Sequence, residues 1–272
     1  MSFAHKREWG PVPNYPLVKE YKRPNDDFII ISGSCSVESD YQVNSIARMV
    51  KHAGATNLRG GIFRAGTYPK QGAHFGWVNQ DLIISFYEAA KSHGLKNIIE
   101  VLDYSDESFD KIANFCDVFQ VGARSQQNYS LLRKLGQYGK PVFLKRNTGC
   151  TVDELLGSAE HLLVGGVKEL HLIERGSSTH MNHVRWDLSI SAIPAVKSIC
   201  DIPVIVDASH GTGRRDLVSP MTLAGVAAGA HGVLVESHED PEMSMSDADQ
   251  CITPREFQEL VKKIHKVREA IA

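Results

Sequence analysis

Four residues far apart in the chain carry side chains suited to holding a metal ion: Cys35, His210, Glu236 and Asp247. A thiolate, an imidazole and two carboxylates form a mixed donor set. Such a set suits one divalent ion of intermediate character, Mn, Fe, Co or Zn, better than Ca. Four cations, Arg59, Arg124, Lys145 and Arg175, form a second set. Unpaired cations are costly to bury. They make sense around an anionic ligand, because Arg grips carboxylate or phosphate through two parallel hydrogen bonds. Each residue also has a plainer use. Cys35 could fill the core, His210 could bond internally, and Glu236 could pair with Arg175.

Position unites the two sets. Eight short apolar runs recur along the chain: Phe28–Ser32, Asn57–Gly61, Asn97–Leu102, Val118–Gly122, Pro141–Arg146, Glu169–Glu174, Pro203–Ala208 and Gly232–Glu236. Continuous apolar runs of this length suit strands buried on both faces, as in a parallel sheet. Helical patterns follow them at about 40–53, 79–93, 106–115, 126–137, 152–164, 187–199, 216–229 and 254–271. Thr151 with Glu154, and Thr253 with Pro254 and Glu256, read as capping boxes. Gly54, Gly94 and Gly136 stand where helix-ending glycines are expected. Eight strands alternating with eight helices predict a (β/α)8 TIM barrel, an α/β fold in a single domain. The expected boundaries are an N-terminal extension over 1–26, an extended arm or short lead-in strand, and a catalytic barrel over 27–272. In such barrels chemistry gathers at the carboxyl ends of the strands, and both sets of residues fall there or just beyond.

Bulk composition narrows the function. With 30 basic and 32 acidic residues the formal net charge is −2, so no overall field points to nucleic acid or membrane. Anion recognition must therefore come from local placement of Arg and Lys. The five cysteines are odd in number and contain no CxxC, so no disulfide framework is expected. No signal-peptide core or membrane-spanning run is visible, and a cytoplasmic location is expected.

Longer motifs carry a resemblance. They include Gly33-Ser34-Cys35-Ser36, Leu58-Arg59-Gly60-Gly61, Glu100-Val101-Leu102-Asp103, Val121-Gly122-Ala123-Arg124, Lys140 to Arg146, Glu174-Arg175-Gly176, Val206 to His210, Gly232 to His238, and Ser246-Asp247. Over these, from about Asp27 onward, the chain resembles the type Iβ 3-deoxy-D-arabino-heptulosonate-7-phosphate (DAHP) synthases. The resemblance implies a metal-dependent transferase of the shikimate pathway. It would condense phosphoenolpyruvate (PEP) with erythrose 4-phosphate to give DAHP and phosphate. It implies Cys35, His210, Glu236 and Asp247 as metal ligands. It also implies Arg59 and Lys145 on the PEP carboxylate, and Arg124 and Arg175, with Gly122 and Ala123, around its phosphate. Arg64, Lys145, Glu100 and His210 would serve catalysis, Glu100 beside the attacking water. Arg64, Thr67 and Asp207 would meet the aldehyde. A homotetramer or homodimer is expected, and no built-in feedback domain.

The chain departs from the pattern after strand two. Where the family has Lys-Pro-Arg-Thr-Ser-Pro, this chain has Arg64-Ala65-Gly66-Thr67-Tyr68-Pro69. Gly66 replaces the arginine that grips the phosphate of erythrose 4-phosphate. Either Lys70, Arg146 or Arg214 supplies the missing charge, or the enzyme is a related PEP-dependent 3-deoxy-2-keto acid synthase for another aldehyde. His74 and Trp77 are further novelties of that loop. Two other readings compete: a Schiff-base aldolase on Lys145, and a barrel that binds PEP without turnover.

Overall fold

The computed structural model describes residues 14–62, 80–102 and 107–272. Eight parallel strands close in sequence order, the last pairing with the first. They are β1 (Ile29–Gly33), β2 (Asn57–Arg59), β3 (Lys96–Val101), β4 (Val118–Val121), β5 (Val142–Lys145), β6 (Leu170–Glu174), β7 (Val204–Asp207) and β8 (Gly232–Glu236). All eight lie within the expected runs or one residue beyond them. The helices are α1 (Pro16–Glu20), α2 (Asp40–His52), α3 (Gln80–Ser92), α4 (Glu107–Phe115), α5 (Tyr129–Leu135), α6 (Val152–Val164), α7 (Ala192–Lys197), α8 (Ala208–Thr212), α9 (Arg215–Ala227) and α10 (Pro254–Ile271). Both expected capping boxes form, at Thr151 and Thr253. No helix among the described residues is long and apolar enough to cross a membrane.

Strand alternation divides the core in two. Outward-facing residues pack under the helices as one large cluster. Inward-facing Ile31, Ile98, Val118, Phe143, Ile173, Ile205 and Leu234, one from each of seven strands, form a separate apolar plug. The next inward positions, two residues further along each strand, are Gly33, Glu100, Gln120, Lys145, Arg175, Asp207 and Glu236. Dry hydrocarbon thus floors a charged layer at the carboxyl mouth.

Four expectations change. The arm before the barrel contains no strand among its described residues. Pro16 starts a single turn, α1, whose first amides donate to Glu160 on α6. The helix expected over 187–199 shrinks to α7, because Asp187 pairs with Ser177 in a short bridge. A one-turn helix, α8, follows β7 directly; the Asp207 side chain caps it by accepting from the His210 amide. Gly136 does not end its helix in the left-handed region; Gly139 does, at φ +66°. Gly136 is needed for close approach, since a Cβ there would lie 2.2 Å from the Gly165 carbonyl carbon.

His171 sits inward on β6, two residues below Ile173. It is 5% exposed, edge-on to Phe143, and its Nδ1 has no partner among the described residues. Burial, with His231 and Lys96 adding to it, pushes its pKa down to about 3. The unfolded chain takes up this proton near pH 6.5. Stability from the neutral ring is therefore complete above that pH and is lost as pH falls toward 3. His171→Phe should remove roughly 3 kcal/mol of the stability difference between pH 7 and pH 4. Urea midpoints at the two pH values measure this; an unchanged difference would refute it.

Candidate active site at the barrel mouth

The loop after β8 closes over the mouth because the end of β1 holds it. Ser36 Oγ meets Ser246 Oγ at 2.7 Å, and Glu38 accepts the Met245 amide at 2.9 Å. Between them Cys35 Sγ lies 2.9 Å from Asp247 Oδ2. Ser237 bridges Ile252 on the return path. The loop turns at Asp247, the only non-glycine residue of positive φ (53°) among the described residues. Asp tolerates this conformation better than most side chains.

Ligand atoms of Cys35, Glu236 and Asp247 lie within 4.8 Å of one another. His210 stands beside this trio rather than within it: its Nε2 is 3.3 Å from Glu236 Oε1. Its Nδ1 lies 2.8 Å from Asp207 Oδ2, which fixes the proton on Nδ1 and turns the Nε2 lone pair toward Glu236. Two acceptors facing each other call for a proton or a cation between them. A carboxylate behind an imidazole is also the usual support of a histidine ligand. The four residues therefore fit a divalent metal by donor chemistry and by tautomer.

The cations are not equivalent. Arg59 Nη1 binds Glu236 at 2.5 Å and the Ser34 carbonyl at 2.8 Å, while its buried Nε finds no partner. Burial works to lower the Arg59 pKa, but Glu236 and the neighbouring Cys35, Asp207 and Glu100 raise it on balance. Lys145 is 3.0 Å from Asp207. An ammonium held in an ion pair is not the free amine that a Schiff base needs. Arg175 is buried, yet no carboxylate among the described residues lies within ion-pair distance. It stacks on Trp186 and donates to the His210 carbonyl. Burial lowers its pKa, and Arg185 and Arg124 add to that. Arg124 is on the exposed rim, just past Gly122 and Ala123.

Asp207, the residue expected to meet the aldehyde, is buried beneath the mouth and bonded by Lys145 and His210. Burial pushes its pKa up, but these partners outweigh burial and hold it far below the usual carboxylate range. Glu236 pairs with Arg59, not with Arg175. Glu100 is half-buried, accepts from Gln120 at 3.2 Å, and approaches the backbone at Gly122, where a Cβ would lie 2.2 Å from its Oε1. Arg64, Gly66, Thr67, Lys70, His74, Trp77 and Asp103 lie outside the described residues.

The sequence reading missed Gln250 and Arg185. Gln250 Nε2 donates to Glu236 Oε2 at 2.5 Å, and its Oε1 accepts from Arg185 at 3.2 Å. Arg185 also meets Asp247 Oδ1 at 3.4 Å. Neither residue lies on a strand, so no periodicity marked it; an arginine in a strand-end loop was the only signal.

Arg146 is locked in place. It binds Glu174 through two bonds (2.6 and 3.0 Å) and also the Cys150 carbonyl and Ser177. Arg146→Met should cost about 3–5 kcal/mol by stranding a buried carboxylate, and replacing both partners with Met and Leu should restore most of it. Denaturant unfolding of the single and double variants tests this; equal losses would refute it.

Known proteins place this geometry in context. The family model described as the DAHP synthetase I family matches residues 17–272. A phospho-2-dehydro-3-deoxyheptonate aldolase of Thermotoga maritima is 37% identical over 265 residues, covering 97% of this chain and 77% of that protein. A crystal structure of the DAHP synthase of that name from Thermotoga maritima superposes with a TM-score of 0.85 at 38% identity, covering 91% of this chain and 71% of the other. A 2-dehydro-3-deoxyphosphooctonate aldolase of Desulfotalea psychrophila is 25% identical, covering 89% and 90%. With the family model matched over residues 17–272 and a relative 37% identical along nearly the whole chain, this chain belongs to the DAHP synthetase I family.

Proposed function

We propose that this protein condenses PEP with erythrose 4-phosphate and water to give DAHP and phosphate. The observation that carries the proposal is the meeting of Cys35, Glu236 and Asp247 ligand atoms within 4.8 Å, beside buried Arg59 and Arg175. Family membership over residues 17–272 supports the same reaction.

Cys35, His210, Glu236 and Asp247 would hold the metal, one divalent Mn, Fe, Co or Zn ion. Bound there, it supplies Lewis-acid polarisation of the aldehyde carbonyl. The protein's own residues do the rest. Arg59 and Lys145 grip the PEP carboxylate, with the unsatisfied Arg59 Nε as a ready donor. Arg175 and Arg124, with the Gly122–Ala123 backbone, receive its phosphate. This gives buried Arg175 the anion it lacks among the described residues. C3 of PEP then forms the new carbon–carbon bond at the aldehyde carbon, and the aldehyde oxygen takes a proton. Water adds at C2, with Glu100 accepting one of its protons. Phosphate departs by C–O cleavage toward Arg124 and Arg175 as the C2 hydroxyl loses its proton to leave the keto group, so the two protons of the water end on the new hydroxyl and on the phosphate. Asp207 acts from below, fixing the position of Lys145 and the His210 proton on Nδ1. Arg64 and Thr67 belong to the aldehyde's side of this scheme.

A second reading keeps PEP and changes the aldehyde. Gly66 favours it, because glycine has no guanidinium with which to grip a phosphate. We also propose a cytoplasmic homotetramer or homodimer. The five cysteines are buried and none is in a disulfide, which fits a reducing compartment.

Three measurements test this. EDTA should abolish aldehyde-dependent PEP consumption, and Mn2+ should restore it; indifference to chelation would sink the metal assignment. Arg175→Ala should raise the KM for PEP by about 10- to 100-fold, the loss expected for one charged hydrogen-bonding group; an unchanged KM would remove Arg175 from the PEP site. In a panel of aldehydes, erythrose 4-phosphate should be used best. A better substrate would favour the second reading.

A further inference from the structure

Gly66 leaves the anionic end of the aldehyde without the arginine of the family pattern, and the structure narrows the substitutes. Arg146 is buried and spent on Glu174. Arg214 lies on the rim, turned away to Asp216 through Nε and Nη2 (3.1 and 2.6 Å) and to the His183 carbonyl through Nη1, and it bonds to none of the mouth residues among the described ones. Lys70 lies outside the described residues.

Arg185 differs from these in place and in state. Its amide donates to the Thr212 carbonyl at 2.8 Å, and the next amide, of Trp186, donates to the Gly211 carbonyl at 2.9 Å. The β6–α7 loop is thereby fastened to α8, the turn that carries His210. A Cβ on Gly213 would lie 2.6 Å from the Arg185 Cβ, so that glycine lets the loop lie flat. The side chain reaches back over the mouth and ends one hydrogen bond from Asp247 and Gln250. Only Nη1 makes those contacts. Nε and Nη2 donate to no described residue, and the side chain is 39% exposed. Arg185 thus combines access to solvent, spare donors and a seat beside the ligand set. Its charge also reaches Arg175, so it belongs to the same positive field. An aldehyde whose carbonyl lies at the ligand set carries its far end, only a few bonds away, into reach of this guanidinium.

We propose that Arg185 binds the phosphate of the aldehyde substrate and sets the preference for a phosphorylated over a neutral aldehyde. The inference rests on the condensation proposed above. A purely structural Arg185 would only hold Asp247 in place, and the two roles separate by experiment.

The test uses the full chain with saturating Mn2+. PEP consumption is followed with erythrose 4-phosphate and with erythrose, for the wild type, Arg185→Ala and Arg185→Lys. Arg185→Ala should lower the kcat/KM ratio of the phosphorylated over the neutral aldehyde by about 10- to 100-fold. Arg185→Lys should recover part of that ratio, because it keeps the charge but loses the fork. Any change in the KM for PEP should be much smaller than the loss of that ratio. An unchanged ratio overturns the inference, whether both aldehydes lose equally or neither does; equal losses with weaker Mn2+ binding would assign Arg185 to holding Asp247. A wild type that prefers erythrose overturns it too, yet leaves the condensation standing. A wild type that consumes PEP with neither aldehyde sinks the condensation and the inference together.

Discussion

In a closed barrel every second residue of a strand points into one enclosed column, and this period of two governs the rest of the molecule. From Ile31, Ile98, Val118, Phe143, Ile173, Ile205 and Leu234 the next inward step gives one glycine and six polar or charged residues. The change from hydrocarbon to charge happens at one height around the wall. Directly below it lies the apolar plug, and above it the polar side chains stand at the mouth. A slip of one residue in any strand would turn its charged group outward, under the apolar cover of the helices.

A layer this charged is tolerable because it comes close to neutralising itself. Arg59, Lys145 and Arg175 stand against Glu100, Asp207 and Glu236. Two of the cations are paired at 2.5 and 3.0 Å. Buried pairs of this kind seldom add stability over a hydrophobic filling, since desolvation offsets most of the attraction. Their presence points to ligand chemistry. Arg175 is the uneven member, shielded by Trp186 and crowded by other cations. The plug, the paired ions and the buried Arg175, with no carboxylate within ion-pair distance among the described residues, together suit the doubly anionic substrate and the metal proposed above.

Much of this was legible in the sequence because strands impose a period. The eight apolar runs gave the barrel, and the residue types at their ends gave both charged sets. Where contacts depend on the path of a loop, periodicity says nothing. Arg185 and Gln250 reach Glu236 and Asp247 only because the loops after β6 and β8 fold back over the mouth. Gly136 looked like a helix terminator, but its reason for being small is Gly165, twenty-nine positions away. The strand-end position of Asp207 did not show that its carboxylate would cap a helix. Its burial follows from α8 beginning at the very next residue, which turns its carboxylate into a cap.

The contact between Cys35 and Asp247 spans 212 positions. The first and last strands must therefore be side by side before the donor set exists at all. A ribosome-bound chain lacking its final quarter can display Cys35, but it has no pocket in which to retain an ion. Contacts so distant along the chain also tend to form late. Completing the wall and bringing together the residues proposed to hold the metal are consequently a single event.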